Sequence, residues 1–265
     1  MNWPYPKLKS VVTLCALFMT MTAASAVVRA ETFTFSGTTS GGNVVNGTAT
    51  FSAGANPNLL TIVITNNQQN IVSAGQAISG LSFQVKDAQG NLLNISPVVI
   101  MSQAGREVKF LGSQTGVDVN GAGDDALGWG LSNQNPAYLN ALGFTGANGT
   151  NPPDELILGA PTSTNGSGQV VYSSANSSIS NSGPHQPFVV YTATFSVQVA
   201  LNLPSGFQIT SVQMYFGTNA DTITTQTPEP ASMLLLGTGL LGLAAGVRHR
   251  YAKRKSDTGQ ASTGN

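Results

Sequence analysis

The clearest pattern along the chain is alternation. In "YTATFSVQVAL", Tyr191, Ala193, Phe195, Val197, Val199 and Leu201 are apolar or aromatic, and Thr192, Thr194, Ser196, Gln198 and Ala200 between them are polar or small. A period of two predicts a strand with one face in a core and one in water, as in an antiparallel sheet. Weaker versions recur in "ETFTFSG" (Phe33, Phe35), "VVNGTATFSA" (Ala49, Phe51), "NLLTIVITN" (Leu60, Ile62, Ile64), "ISGLSFQVK" (Leu81, Phe83, Val85), "PVVIMS", "REVKFLG" and "FQITSVQMYFG". The last changes phase, from Phe207 and Ile209 to Val212, Met214 and Phe216, which predicts a bulge near Ser211. "KDAQGN" reads as a hairpin turn between two such runs. Short strands punctuated by Gly, Asn and Pro, with no long helical period, predict an all-β body over residues 31–226, an antiparallel β-sandwich or jelly roll. Residues 112–186 within it are loop-rich, with short strand signals at "ALGWGLS", "DELILG" and "QVVYSS".

Both ends break the pattern. Residues 1–30 read as a secretory signal peptide helix: Lys7 and Lys9 precede an apolar run from Val11 to Met21, and small-residue cleavage patterns end at Ala26 and Ala30. The expected cut is after Ala30, where the β-like sequence starts, with Ala26 as the alternative. Ala231 to Val247 carries no charge and as a helix would be about 25 Å long, the lower limit for a membrane span. Arg248, Arg250, Lys253, Arg254 and Lys255 follow it, and by the positive-inside rule they stay cytoplasmic while the body is exported. A polar tail occupies residues 256–265.

Charge sharpens this division. Only 8% of the residues are charged, against a usual share of about 25%, so the body relies on neutral polar groups for solubility. Between Glu31 and Gln226 there are three bases (Lys86, Arg106, Lys109) against nine acids, a net charge near −6, and the other eight bases sit at the two ends. An acidic, base-poor body cannot follow a phosphate backbone, which excludes nucleic acid as a partner. The single cysteine, Cys15, lies in the signal peptide, so the exported body has neither disulfide nor thiolate chemistry.

Pro228-Glu229-Pro230, the segment "ASMLLLGTGLLGLAAGV" and the basic cluster resemble, in that order and spacing, the PEP-CTERM sorting signal of Gram-negative bacteria. The resemblance spans residues 227–255. It implies export through the Sec translocon, transient anchoring in the inner membrane and processing near the motif by exosortase, a membrane-embedded protease or transpeptidase. It also implies a final place on the cell surface or in a biofilm matrix rich in exopolysaccharide. The polar tail is a departure, because the family usually ends soon after its basic cluster.

Candidate chemistry in the body is sparse. "DVNGAGDD" holds the main acid cluster, and Asp118, Asn120 and Asp124 stand where positions 1, 3 and 7 of a calcium loop would be. Ala122 and Trp129 occupy two other ligand positions, so the calcium site is a weak candidate. No other cofactor is expected. His185 is the one histidine before the sorting signal, which excludes a histidine zinc cluster, and no G-x-S-x-G elbow occurs. Asp124, Asp125, Asp154 and Glu155 are the carboxylates available to a hydrolase. Trp129, Tyr138, Phe144, Tyr172 and Tyr215 would stack on sugars if exposed. The expectation is a non-enzymatic surface or matrix protein, structural or adhesive, with a carbohydrate-binding module as the alternative and a secreted hydrolase third.

Overall fold

The structure is a computed structural model. It describes residues 30–53, 56–96, 98–121, 123–132, 135–141, 153–181, 183, 185–218 and 221–224. The expected signal peptide, apart from Ala30, and the whole sorting segment lie outside the described residues. Among the described residues, no helix is long and apolar enough to cross a membrane.

The body is all-β, as the alternation requires. Its strands are β1 (Ala30–Thr38), β2 (Val44–Ala53), β3 (Leu59–Asn66), β4 (Ile78–Lys86), β5 (Val98–Phe110), β6 (Thr115–Asp118), β7 (Asp125–Ala126) and β8 (Gly130–Ser132). They continue with β9 (Ala137–Asn140), β10 (Ile157–Leu158), β11 (Ser163–Thr164), β12 (Val170–Val171), β13 (Phe188–Val199), β14 (Gln208–Phe216) and β15 (Asp221–Thr224). "PVVIMS" and "REVKFLG" are not two strands. They are joined in β5, because the polar residues between them continue to pair with β13.

One arm of the sheet runs β1-β2-β3-β13-β5, with β6 and β7 on the far side of β5; the other runs β15-β14-β4-β9-β8. The two-residue strand β10 joins them, lying parallel to β13 at Val189–Val190 and antiparallel to β4 at Ile78. The arms face each other through their apolar alternates. Phe51 of β2 meets Phe83 of β4 edge-on at 5.1 Å and Phe33 of β1 at 5.6 Å, while Trp129 packs on Phe195 of β13 at 5.1 Å. Such edge-to-face pairs add to the burial of the rings themselves.

The bulge expected near Ser211 is present: the β14 to β4 register shifts between Thr210 and Gln213, and Ser211 has φ 50°. The turn at "KDAQGN" is present too, with Asp87 accepting backbone hydrogen bonds from Gln89 and Asn91. One phase reading needs correction. Tyr191 is 42% exposed instead of sharing the core face with Ala193. A second bulge, with φ 67° at Tyr191 and a register shift between Val189 and Ala193, turns it outward.

The loop-rich stretch is tied to the arms by its short strands. Tyr172 is buried, its hydroxyl donates to Gly159 O at 2.9 Å, and its ring meets Phe110 at 5.7 Å. Gln186 acts as a strand mimic. Its Oε1 accepts from Phe110 N and its Nε2 donates to Phe110 O, closing the edge of β5 where no strand is available.

Candidate functional site

The sequence-predicted residues scatter. Asp118 is taken by Arg106, whose Nε and Nη2 donate to its two oxygens at 2.6 and 3.0 Å. This bidentate bond holds the Arg106 guanidinium above its ordinary pKa. Asn120 donates to Asp125 at 2.8 Å, and Asp124 is exposed. Asp118 and Asn120 are thus each engaged by another side chain, Arg106 and Asp125. Among the described residues, no three His, Cys, Asp or Glu side chains are placed to hold a metal ion. His185 Nδ1 is 2.9 Å from Pro153 O, a contact that fixes a loop.

The aromatic candidates divide by burial. Trp129 is not a surface platform: it is 3% exposed, and its indole Nε1 donates to Glu155 O at 3.0 Å. Tyr172 is likewise in the core, and Phe144 lies outside the described residues. Tyr138 and Tyr215 are half-buried on the outer face of the second arm, where Tyr138 stands opposite Ser82 and Tyr215 opposite Gly80. Their rings meet at 4.9 Å, and the Tyr215 hydroxyl lies 3.3 Å from Ser82 Oγ and 3.2 Å from Gln213 Oε1. Burial, then the neighbouring Tyr215, pushes Tyr138 up to about 12.

A different group of side chains comes together from distant parts of the chain. Glu107 is carried by β5, Asp125 by β7, and Asp154 and Glu155 by the segment entering β10. Glu107 is 5% exposed, and its Oε1 receives no hydrogen bond among the described residues; the same holds for the buried Asp125 Oδ2. Glu155 lies near enough for its negative charge to act on the Glu107 carboxyl. Burial pushes Glu107 up to about 7, reinforced by Glu155, Asp125 and Asp154 and opposed by Lys109. Glu155 is also raised, by burial first and by Asp154, while the hydrogen bond from Gly128 N pulls it back.

The backbone and its neighbours hold Glu155 in place. It sits at φ 54°, its N donates to Pro187 O at 2.7 Å, its O accepts from Trp129, and its Oε2 accepts from Gly128 N. At Gly128 a Cβ would stand 3.1 Å from Glu155 Oε1, so glycine allows the carboxylate its close approach. Sequence reasoning named Asp125, Asp154 and Glu155 but not Glu107. The available signal was a single acid inside a strand pattern, between Arg106 and the buried Val108, and it says nothing about which acids lie across the fold.

A family model described as the PEP-CTERM protein-sorting motif matches residues 226–250. No curated protein and no solved structure matches the chain.

Proposed function

We propose that this chain, which carries a PEP-CTERM protein-sorting motif at residues 226–250, delivers a non-enzymatic β-sandwich body to the cell surface or extracellular matrix, where it is structural or adhesive. The motif is recognised by exosortase and directs export to the cell surface or beyond. Before processing, residues 231–247 hold the protein in the inner membrane of a Gram-negative cell, with Arg248, Arg250, Lys253, Arg254 and Lys255 on the cytoplasmic side. The observation that carries this reading is the junction between body and motif. The last strand ends at Thr224 and the matched motif begins at residue 226, so a β body leads straight into the sorting signal.

The non-enzymatic reading is supported by the geometry of the acid cluster. Glycosidase carboxyls stand roughly 5–9.5 Å apart around room for a sugar or a water, whereas Glu107 is buried at 5% exposure. Mass spectrometry of the protein from its host tests sorting. We expect a chain ending near Pro228-Glu229-Pro230, and replacing all three with alanine should leave the C-terminus intact. Recovery of wild-type protein ending at Asn265 would overturn the processing step.

A second reading, carbohydrate binding in an exopolysaccharide matrix, is favoured by the Tyr138–Tyr215 pair. Half-buried rings beside hydroxyl and amide groups suit a sugar's apolar face and its hydroxyls. Retardation in polysaccharide affinity gels should fall at least about tenfold in Tyr138→Ala/Tyr215→Ala if the pair supplies roughly 1.4 kcal/mol or more. Equal mobility of variant and wild type would remove this reading.

A further inference from the structure

We propose that the outer face of the first arm is a self-association surface, on which a second copy of this chain packs face to face. The face is built from rows of hydroxyls. Thr34, Thr48, Thr65 and Thr192 stand side by side across β1, β2, β3 and β13. Two residues further along, Thr32, Thr50, Val63 and Thr194 form a second row, and Ser52, Thr61, Ser196 and Ser102 form a third that reaches β5. Alternation forces this arrangement: Phe33, Ala49, Ile62 and Phe195 between these positions are buried in the core, so the rows point out. Every residue of the three rows is half-buried or exposed, and none is charged.

Charge selects the occupant. The body holds nine acids against three bases, so two copies repel over most of their surface. On this face that repulsion is missing: Glu31 of β1 aligns with the buried Phe51 on the core side, and Arg106 at the β5 end is neutralised by Asp118. Lateral bonds prepare the rows for a dry contact. The hydroxyls of Thr32 and Thr50 are 2.9 Å apart and those of Thr65 and Thr192 3.1 Å, so these groups keep a partner when water is excluded. Val63 in the middle and the exposed Val99 and Met101 on β5 supply apolar area. A five-stranded sheet twists by roughly 80–100° in total, which a flat crystalline surface cannot follow, whereas a copy with the same twist packs aligned at about −30°. The rows also contain no aromatic ring to stack on a sugar. Five strands about 4.8 Å apart and seven residues at about 3.4 Å each give roughly 600 Å² per copy, or about 1,200 Å² for a pair, the lower edge of stable interfaces. The pair is therefore a weak dimer, in the micromolar range.

The test is sedimentation velocity of the full chain in a mild detergent, from about 1 to about 300 μM. We expect a monomer to dimer equilibrium that tightens severalfold between about 20 mM and about 500 mM NaCl, because salt screens the repulsion of the acidic bodies. Thr32→Glu and Thr194→Glu, both at exposed positions, should each weaken it at least about tenfold. Leu92→Glu, the same charge on an exposed residue beside Lys86 of the other arm, should leave it within about twofold. Unchanged far-ultraviolet circular dichroism checks that the variants are folded, and the concentration and salt series of the wild-type chain need no variant. A wild-type chain that stays monomeric at about 300 μM, a dimer that loosens as salt rises, or Glu variants that pair like wild type would each overturn the proposal. The last result would mean contact through the apolar sorting segment, which these variants leave intact. Retention on an insoluble polysaccharide that is lost in Thr194→Glu, with the wild-type chain monomeric, would overturn it in favour of a glycan.

Discussion

At the scale of single residues, a buried acid with a raised pKa makes stability depend on pH with a definite sign. Folded Glu107 binds its proton up to about pH 7, whereas the unfolded side chain releases it near 4.5. Between these values the native state holds more protons than the unfolded one, so stability falls as pH rises through the window and levels off above it. Residual solvation of the site limits the loss to roughly 1–3 kcal/mol. Glu107→Gln should remove the slope, so urea unfolding at about pH 8 should show it more stable than wild type, and the difference should vanish near pH 4.5. Trp129 is the residue whose role changed most between sequence and structure. Its aromatic type suited a sugar platform, but burial against Phe195 and the bond to Glu155 O make it part of the core. Trp129→Ala should cost about 3–5 kcal/mol in denaturant unfolding.

At the scale of elements, alternation was legible wherever one face of a strand is buried and the other wet. β1, β2, β3, β13 and β14 follow it, and the phase change at Ser211 marked a bulge in advance because a shift by one residue exchanges the faces. β4 was legible as a strand in "ISGLSFQVK", but its central place was not: Ile78 to Phe83 are all buried, Ser79 and Ser82 included, and strands pair with it on both sides. The two-residue strand β10 was visible as an apolar trio, yet its place between the arms depends on contacts from distant segments. Asn66 of β3, for example, donates to both Gln76 O and Ile157 O at 2.9 Å. Gly159, immediately after β10, shows how tight that junction is: a Cβ there would lie 2.1 Å from Gln68 O. Backbone must shift to admit it, so Gly159→Ala should destabilise by at least about 1–3 kcal/mol, read as a lower urea midpoint at an unchanged slope.

At the scale of the whole molecule, the sequence announced destination more clearly than activity. Address signals are linear, so order and spacing along the chain carry them, and the matched motif coincides with the Pro-Glu-Pro, apolar and basic run. A cluster of acids is not linear: Glu107 and Glu155 lie 48 positions apart, and only folding brings the charge of one near the carboxyl of the other. The same folding brings the two ends of the body together. Glu31 of β1 accepts from Ile209 N at 3.2 Å, and Gly37 lies against Ile223 of β15, so the first strand of the body and the strand that leads into the sorting motif share an edge.

That edge also sets how the body bears load. β15 pairs with β14 over four residues, and Thr224, where the chain leaves toward the sorting signal, is the end opposite Gln213. A pull transmitted through the C-terminus therefore acts on the hydrogen bonds of β15 one pair at a time, as on a zip, while the seven-pair contact of β3 with β13 lies inside the sheet, away from that line. Under such a pull β15 should yield before the core is loaded.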